Sequence, residues 1–373
     1  MAAVALVVAI IVAVVAITLS RGGTTPTPIP APAPLSGTMQ RVMRVAADAR
    51  CMDGTPAGYF FLAGNAANAS RYVVFIQGGG ECRNKPDCDR WYVSHGGNSS
   101  QWPATRSVRD DHGDHAEMDT DCDANPDFCS WSKVYIPYCT GDMCDPTAPL
   151  PTTGWLLSRS GSPRRGGGRH SGTRTDRSPE LGGYYFAGHL QIAATIADIK
   201  AHPAGGVPPT HFLISGSSAG GIGALTHTDF FGEQFEGAVV KGAPECGFFY
   251  PNVTSVPDLA AGRQTPLLLL GQQADWHPYQ PTGCRTAAAL SSLSAEARSL
   301  HCTNAHTLFP HLRRPLFFRE NQFDISKLGN CGWRPDNREY LVRWGEWMRS
   351  QLATVRASSV DHVRAGLCDL IGI

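Results

Sequence analysis

The segment His211–Gly223, HFLISGSSAGGIG, leaves the backbone few paths to follow. Phe212-Leu213-Ile214 is an apolar run that enters Gly216-Ser217-Ser218-Ala219-Gly220, after which Ile222, Ala224 and Leu225 give an apolar helix face. Strand, glycine-lined turn and helix in that order fit the G-x-S-x-G elbow, which lifts a serine onto a sharp turn. Small residues two before and two after the serine let the strand and helix backbones pass close together. The helix N-terminus beneath the serine favours a forming oxyanion. Ser218 is therefore the expected nucleophile; a Gly/Ser-rich loop is the competing reading.

A second segment supports the first. Tyr72–Gln77, YVVFIQ, is an uncharged β-rich run suited to a central parallel strand, and it ends in Gly78-Gly79-Gly80-Glu81-Cys82. In α/β-hydrolases such a loop supplies half of the oxyanion hole, and the amide after the nucleophile supplies the other half. The expected donors are Gly79 or Gly80, together with Ala219. The pair of motifs predicts an α/β-hydrolase-like chain, a central mostly parallel sheet flanked by helices. Tyr59–Leu62, Trp131–Pro137, Phe235–Val240, Thr265–Gly271 and Arg314–Phe318 read as further strands, Gln191–Lys200 and Leu290–His301 as helices. A serine–histidine–acid mechanism needs a carboxylate at a strand end to orient the imidazole. By chemistry alone Asp275 and Asp324 both qualify.

The flanking sequence bears on location and partners. Ala2–Leu19 is apolar apart from Thr18, longer than a signal-peptide core and close to the ~20 residues that span a bilayer. Residues 1–20 are thus a signal peptide or an N-terminal membrane anchor, and membrane anchoring through residues 2–19 is one expectation. Residues 21–38, with alternating prolines, read as an extended linker, and residues 39–373 as the hydrolase domain. The 12 cysteines suit disulfides in an oxidising compartment, which places the domain outside the cell or in a lumen. No pair has C-x-x-C spacing, and His112-x-x-His115 reads as a solvated loop, so no metal is expected. Sequons at Asn68, Asn98 and Asn252 are compatible with glycosylation. Lys+Arg and Asp+Glu both number 32, and that balance does not suggest nucleic acid as a partner. Leu156–Leu181 is rich in Arg, Gly and Ser and reads as a disordered insertion. Contact with an anionic polymer through Arg159, Arg164, Arg165, Arg169, Arg174 and Arg177 is the functional alternative.

Several blocks together resemble the pectin acetylesterase family, which includes Notum-like serine hydrolases. They are Cys51–Tyr59, Phe75–Cys82 followed by Cys88, Val134–Asp142, Gly216–Gly221 and Gly242–Phe249. The resemblance chooses Asp324, because Phe317–Ile325, FFRENQFDI, is similar to the family's strand-plus-acid segment. It places the histidine three residues after a cysteine near the C-terminus. Cys368 is similar to that cysteine, but Ile371 stands at the histidine's position, so the tail reads as truncated or altered; His362 is the only histidine after Asp324. Where the family has an aromatic beside the oxyanion glycines, this chain has Glu81. The local guess for a disulfide is Cys82 with Cys88, which would pin the oxyanion loop. The resemblance implies a carboxylic ester hydrolase that needs no cofactor and removes acetyl groups from an extracellular or cell-wall polysaccharide such as pectin. The alternatives are a Notum-like protein-lipid deacylase and, from another class, a catalytically impaired carbohydrate-binding pseudoenzyme.

Overall fold

The computed structural model describes residues 35–43, 46–80, 82, 84–109, 116–142, 170–248, 277–324, 338–357 and 363–368. The leader, Thr265–Gly271, His112, His115, Asp275, residues 156–169, His362 and Ile371 lie outside them.

The strands are β1 (Thr38–Val42), β2 (Tyr59–Leu62), β3 (Arg71–Ile76), β4 (Thr105–Ser107), β5 (Ser132–Ile136), β6 (His211–Ser217), β7 (Val239–Glu245), β8 (Leu316–Asn321) and β9 (Val363–Cys368). Among the described residues they form one nine-stranded sheet in the order β4-β1-β2-β5-β3-β6-β7-β8-β9. The run from β5 to β9 is parallel, and the β4-β1-β2 edge is antiparallel. In β3, Tyr72, Val74 and Ile76 enter one apolar cluster, while Val73 and Phe75 enter another on the opposite face. Burial on both faces explains why this strand reads as a continuous apolar run and not as an alternating one.

The helices are α1 (Lys85–His95), α2 (Gly188–Ala201), α3 (Ala219–Gln234), α4 (Thr282–Arg285), α5 (Ala295–Thr303), α6 (Ala305–Leu308) and α7 (Arg338–Ala357). Ile192, Ile196 and Ile199 of α2 and Ala224 and Phe231 of α3 cover the β3–β6 face. Leu352 and Val355 of α7 pack with Leu316 and Phe318 of β8. Among the described residues no helix is long and apolar enough to cross a membrane.

The structure corrects three sequence readings. The strand expected over Phe235–Val240 starts at Val239, because Phe235 still donates its N–H to Phe231 and closes α3. The helix expected over Leu290–His301 is shorter, Ala295–Thr303, and a 3-10 turn at Ala288–Leu290 precedes it. Residues 170–181 of the expected disordered insertion are packed: His170, Ser171, Ser178 and Leu181 are buried. The cause lies outside the segment's own composition. The buried Asp142 carboxylate accepts hydrogen bonds from Thr140 Oγ1, from Gly172 N at 2.5 Å and from Gly188 N at 3.1 Å, tying Gly172 in the segment and the start of α2 to the core. Arg174 and Arg177 are likewise engaged internally. Arg174 pairs with Asp176; Arg177 donates to the Gly183 and Asp53 carbonyls and lies over the Tyr185 ring.

Disulfides join Cys51–Cys139, Cys82–Cys88, Cys122–Cys129 and Cys284–Cys302. The second of these is the local pairing expected from the sequence.

Candidate active site

β6 delivers the chain to Ser218 at φ 57° and ψ −117°, and α3 begins at the next residue. A non-glycine residue at positive φ costs roughly 1–3 kcal/mol and persists only where its surroundings impose it. Here they do. Ser218 N donates to Glu245 O at 2.9 Å, and Ser218 O accepts from Ile222 N at 3.1 Å. Gly220 crosses so close to the end of β3 that a Cβ on it would overlap the Ile76 carbonyl. The motif's glycine is therefore a requirement of strand–helix crossing. Ser218 is half-buried, and among the described residues its hydroxyl has no hydrogen-bond partner. The Ala219 N–H opens α3, where no intrahelical carbonyl can accept it.

The loop after β3 lies against this turn. A Cβ built on Gly78 would be 3.3 Å from Ser218 Cβ. Gly80 has φ +80°, a backbone state that a side chain disfavours. The loop is held at two carbonyls: Trp91 Nε1 donates to Gly79 O at 2.8 Å, and His170 Nε2 lies 2.8 Å from Gln77 O. The Cys82–Cys88 disulfide ties the same loop to α1, whose N-terminus is capped by the Asn84 side chain accepting from Asp87 N. The sequence reading missed α1; Asn84 before Lys85-Pro86 was the signal for it.

Three imidazoles pack behind the site. His170 packs against Tyr138 with ring centroids 4.4 Å apart and the planes tilted by 38°. His227 Nδ1 lies 2.8 Å from Gly223 O, so that nitrogen carries the proton and Nε2 accepts from His189 Nδ1 at 3.1 Å. Tyr279 stacks on His189 at 4.0 Å. Burial depresses all three, His170 to about 3, His189 to about 2 and His227 to about 4. Below their ordinary value of ~6.5 the unfolded chain binds protons that the folded chain refuses, so their contribution to stability is lost as pH falls. Asp142 acts the other way. Burial pushes its carboxyl up to about 6, so its contribution is complete at low pH and is lost as pH rises through that value. For these four groups the difference is about two protons, on the order of 3 kcal/mol per pH unit. Unfolding free energy from urea titration is expected to fall by about 2–3 kcal/mol between roughly pH 5.5 and 4.5. A flat profile would mean that these imidazoles titrate normally in the folded chain.

Across the parallel strands, Ser217 pairs with Glu245 and Glu245 with Arg319, forming one row. Neighbouring strands are ~4.8 Å apart, so the row is about 10 Å wide. Ser218 leaves β6 at this row, and Asp324, half-buried, follows the end of β8 beyond it. The sequence reading missed the ion pair between Glu245 and Arg319, which joins β7 to β8. Its one signal was a charged residue in GAPEC, beyond the end of the strand expected over Phe235–Val240.

β9 has a direction that bears on the histidine. Cys368 pairs with Asn321, at the Asp324 end of β8, whereas Val363 pairs with Leu316 at the far end. At ~3.3 Å per residue these ends are roughly 16 Å apart. β9 therefore ends at the edge of the sheet where Ser218 and Asp324 lie.

Among the described residues Cys284, His301 and His311 have metal-ligand spacing, but the Cys284 sulfur is consumed in the disulfide with Cys302.

The chain matches the family model described as Pectinacetylesterase over residues 34–152 and 166–359. It is 26% identical over 289 residues to palmitoleoyl-protein carboxylesterase notum1a of Danio rerio, covering 74% of this chain and 49% of that protein. It is 26% identical over 326 residues to palmitoleoyl-protein carboxylesterase NOTUM of Homo sapiens, covering 83% and 57%. It is 27% identical over 212 residues to pectin acetylesterase 5 of Arabidopsis thaliana, covering 57% and 41%. The chain thus spans about half the length of the curated relatives it matches. The structure of the Wnt deacylase Notum from Drosophila shares the fold, with a TM-score of 0.67 at 23% identity over 88% of this chain and 84% of that one.

Proposed function

The chain belongs to the pectinacetylesterase family, and from that premise we propose that it is a carboxylic ester hydrolase acting through Ser218. The observation that carries this reading is the strained serine at φ 57° on a strand-to-helix turn, with the glycine loop of Gly78–Gly80 against it. Ser218 Oγ attacks the ester carbonyl, and the resulting oxyanion is met by the Ala219 amide and by Gly79 or Gly80. Asp324 orients the imidazole that protonates the leaving alkoxide, and water then releases the acid. β9 ends beside the Asp324 end of β8, and position 371, where the resemblance places the histidine, holds isoleucine in this sequence, so this reading assigns the base to that position.

The substrate we favour is an O-acetyl group on an extracellular or cell-wall polysaccharide, in line with the family's namesake activity. A lipid ester on a protein is the second reading; the longer match to the human NOTUM protein, 83% of this chain against 57% for pectin acetylesterase 5, favours it. A panel of acetylated pectin, acetylated xylan, 4-nitrophenyl acetate and a 4-nitrophenyl long-chain ester separates the two. Acetyl esters are expected to be preferred by about tenfold or more in kcat/KM, since each methylene excluded from a pocket changes binding by ~1 kcal/mol or more. A reversed preference would move the assignment to the lipid deacylase. Acid release that persists unchanged when Ser218→Ala is placed beside Ile371→His would remove the serine mechanism altogether. Secretion follows from the disulfides and the apolar leader under the same proposal.

A further inference from the structure

We propose that Trp91 is a positioning residue of the oxyanion hole, its indole N–H aiming the Gly80 amide by holding the Gly79 carbonyl. The inference rests on the hydrolase reading above and adds a residue to it. A trans peptide is planar, with its C=O and N–H antiparallel. The Gly79 carbonyl and the Gly80 N–H belong to one such plane. Trp91 Nε1 donates to Gly79 O at 2.8 Å, so the Gly80 N–H points away from the indole. Gly80 itself, at φ +80°, supplies little rigidity of its own.

The indole is well placed to act as an anchor. Trp91 is buried at 3% exposure. The His95 ring stacks on it at 5.2 Å and 8°, and Tyr138 meets it edge-on at 5.1 Å. α1 carries it, and the Cys82–Cys88 disulfide links α1 back to the loop it steadies. A second anchor acts two residues earlier. The Gln77 carbonyl can only accept, so His170 Nε2 carries the proton at 2.8 Å and fixes the plane that contains the Gly78 N–H. Alternate peptide planes of the loop are therefore pinned from the same aromatic cluster of Trp91, Tyr138 and His170.

The test compares Trp91→Phe, which keeps an aromatic ring without the donor, with incorporation of benzothienylalanine at position 91, which keeps the shape and replaces N–H by sulfur. Val93→Ala, at a side chain 81% exposed on the same helix, is the control. Each is read by kcat and KM on 4-nitrophenyl acetate, by thermal melting, and by amide hydrogen exchange of the peptide spanning residues 77–82. Removing an oxyanion donor outright costs ~10²–10³ in kcat, so loss of its support is expected to lower kcat by about 10- to 100-fold with KM within about threefold. Exchange in residues 77–82 is expected to quicken by about fivefold or more, with the Val93→Ala protein matching the parent. Unchanged kcat and unchanged exchange in the benzothienylalanine protein would overturn the proposal, whether or not the phenylalanine variant folds. If neither the parent chain nor its Ile371→His variant turns over ester, the hydrolase reading fails separately, and the exchange comparison alone then decides the role of Trp91.

Discussion

Ile371→His is expected to raise kcat on 4-nitrophenyl acetate by about 10²-fold or more over the 373-residue chain as it stands. Two observations set this expectation. Residues 369–373 are DLIGI, so no imidazole follows Cys368 in this sequence. β9 pairs Cys368 with Asn321, so the position three residues on starts from the Asp324 edge. A serine hydrolase without its base retains what binding and the oxyanion hole supply, and loss of a triad member costs on the order of 10⁴–10⁶ in kcat. Only part of that loss is expected back, because the residues around position 371 have not been shaped to seat the ring. No gain from Ile371→His would sink the assignment of the base to this segment. Full activity in the parent chain, lost on His362→Ala, would move it to His362. Against that outcome stands the pairing of Val363, the next residue, with Leu316 at the opposite end of β8.

Ser218→Ala should have two very different effects in the two backgrounds. Residues of a triad act as a unit, so removing a second member after the first costs little. In the parent chain Ser218→Ala is expected to lower the residual rate by less than about tenfold, whereas beside Ile371→His it should erase the whole ~10²-fold gain. A fluorophosphonate probe gives an independent reading. Mass mapping after labelling should find the adduct on Ser218, and none should form in the alanine variant. An adduct on Ser217 in both proteins would relocate the nucleophile by one residue, off the strained turn and into β6.

Both experiments depend on parts of the molecule that were unequally legible. The elbow was legible because its requirements are local. Gly220 must be glycine where helix and strand cross, and Phe212, Leu213 and Ile214 precede it as a strand. The glycine loop after β3 was legible for the same reason, and so was the short-range Cys82–Cys88 disulfide. The Arg/Ser/Gly segment was only partly legible. Its composition gives no core of its own, so it reads as disordered, yet residues 170–181 are held by Asp142 and by the burial of His170.

The family was legible from the resemblance of the motif blocks; the order of strands and helices around Ser218 and the glycine loop expected to face it were legible in the residues themselves. These follow from periodicity and from glycine sterics, which act between residues close in the chain. Which side chains support that loop depends on contacts formed between distant segments. Trp91 reaches Gly79 from α1 and His170 reaches Gln77 across 93 residues of sequence, contacts that no local pattern encodes. The same holds for the row of Ser217, Glu245 and Arg319, and for the end of β8 at which β9 finishes. Register between strands is fixed by packing on both faces of the sheet, and that packing exists only once the distant segments have met.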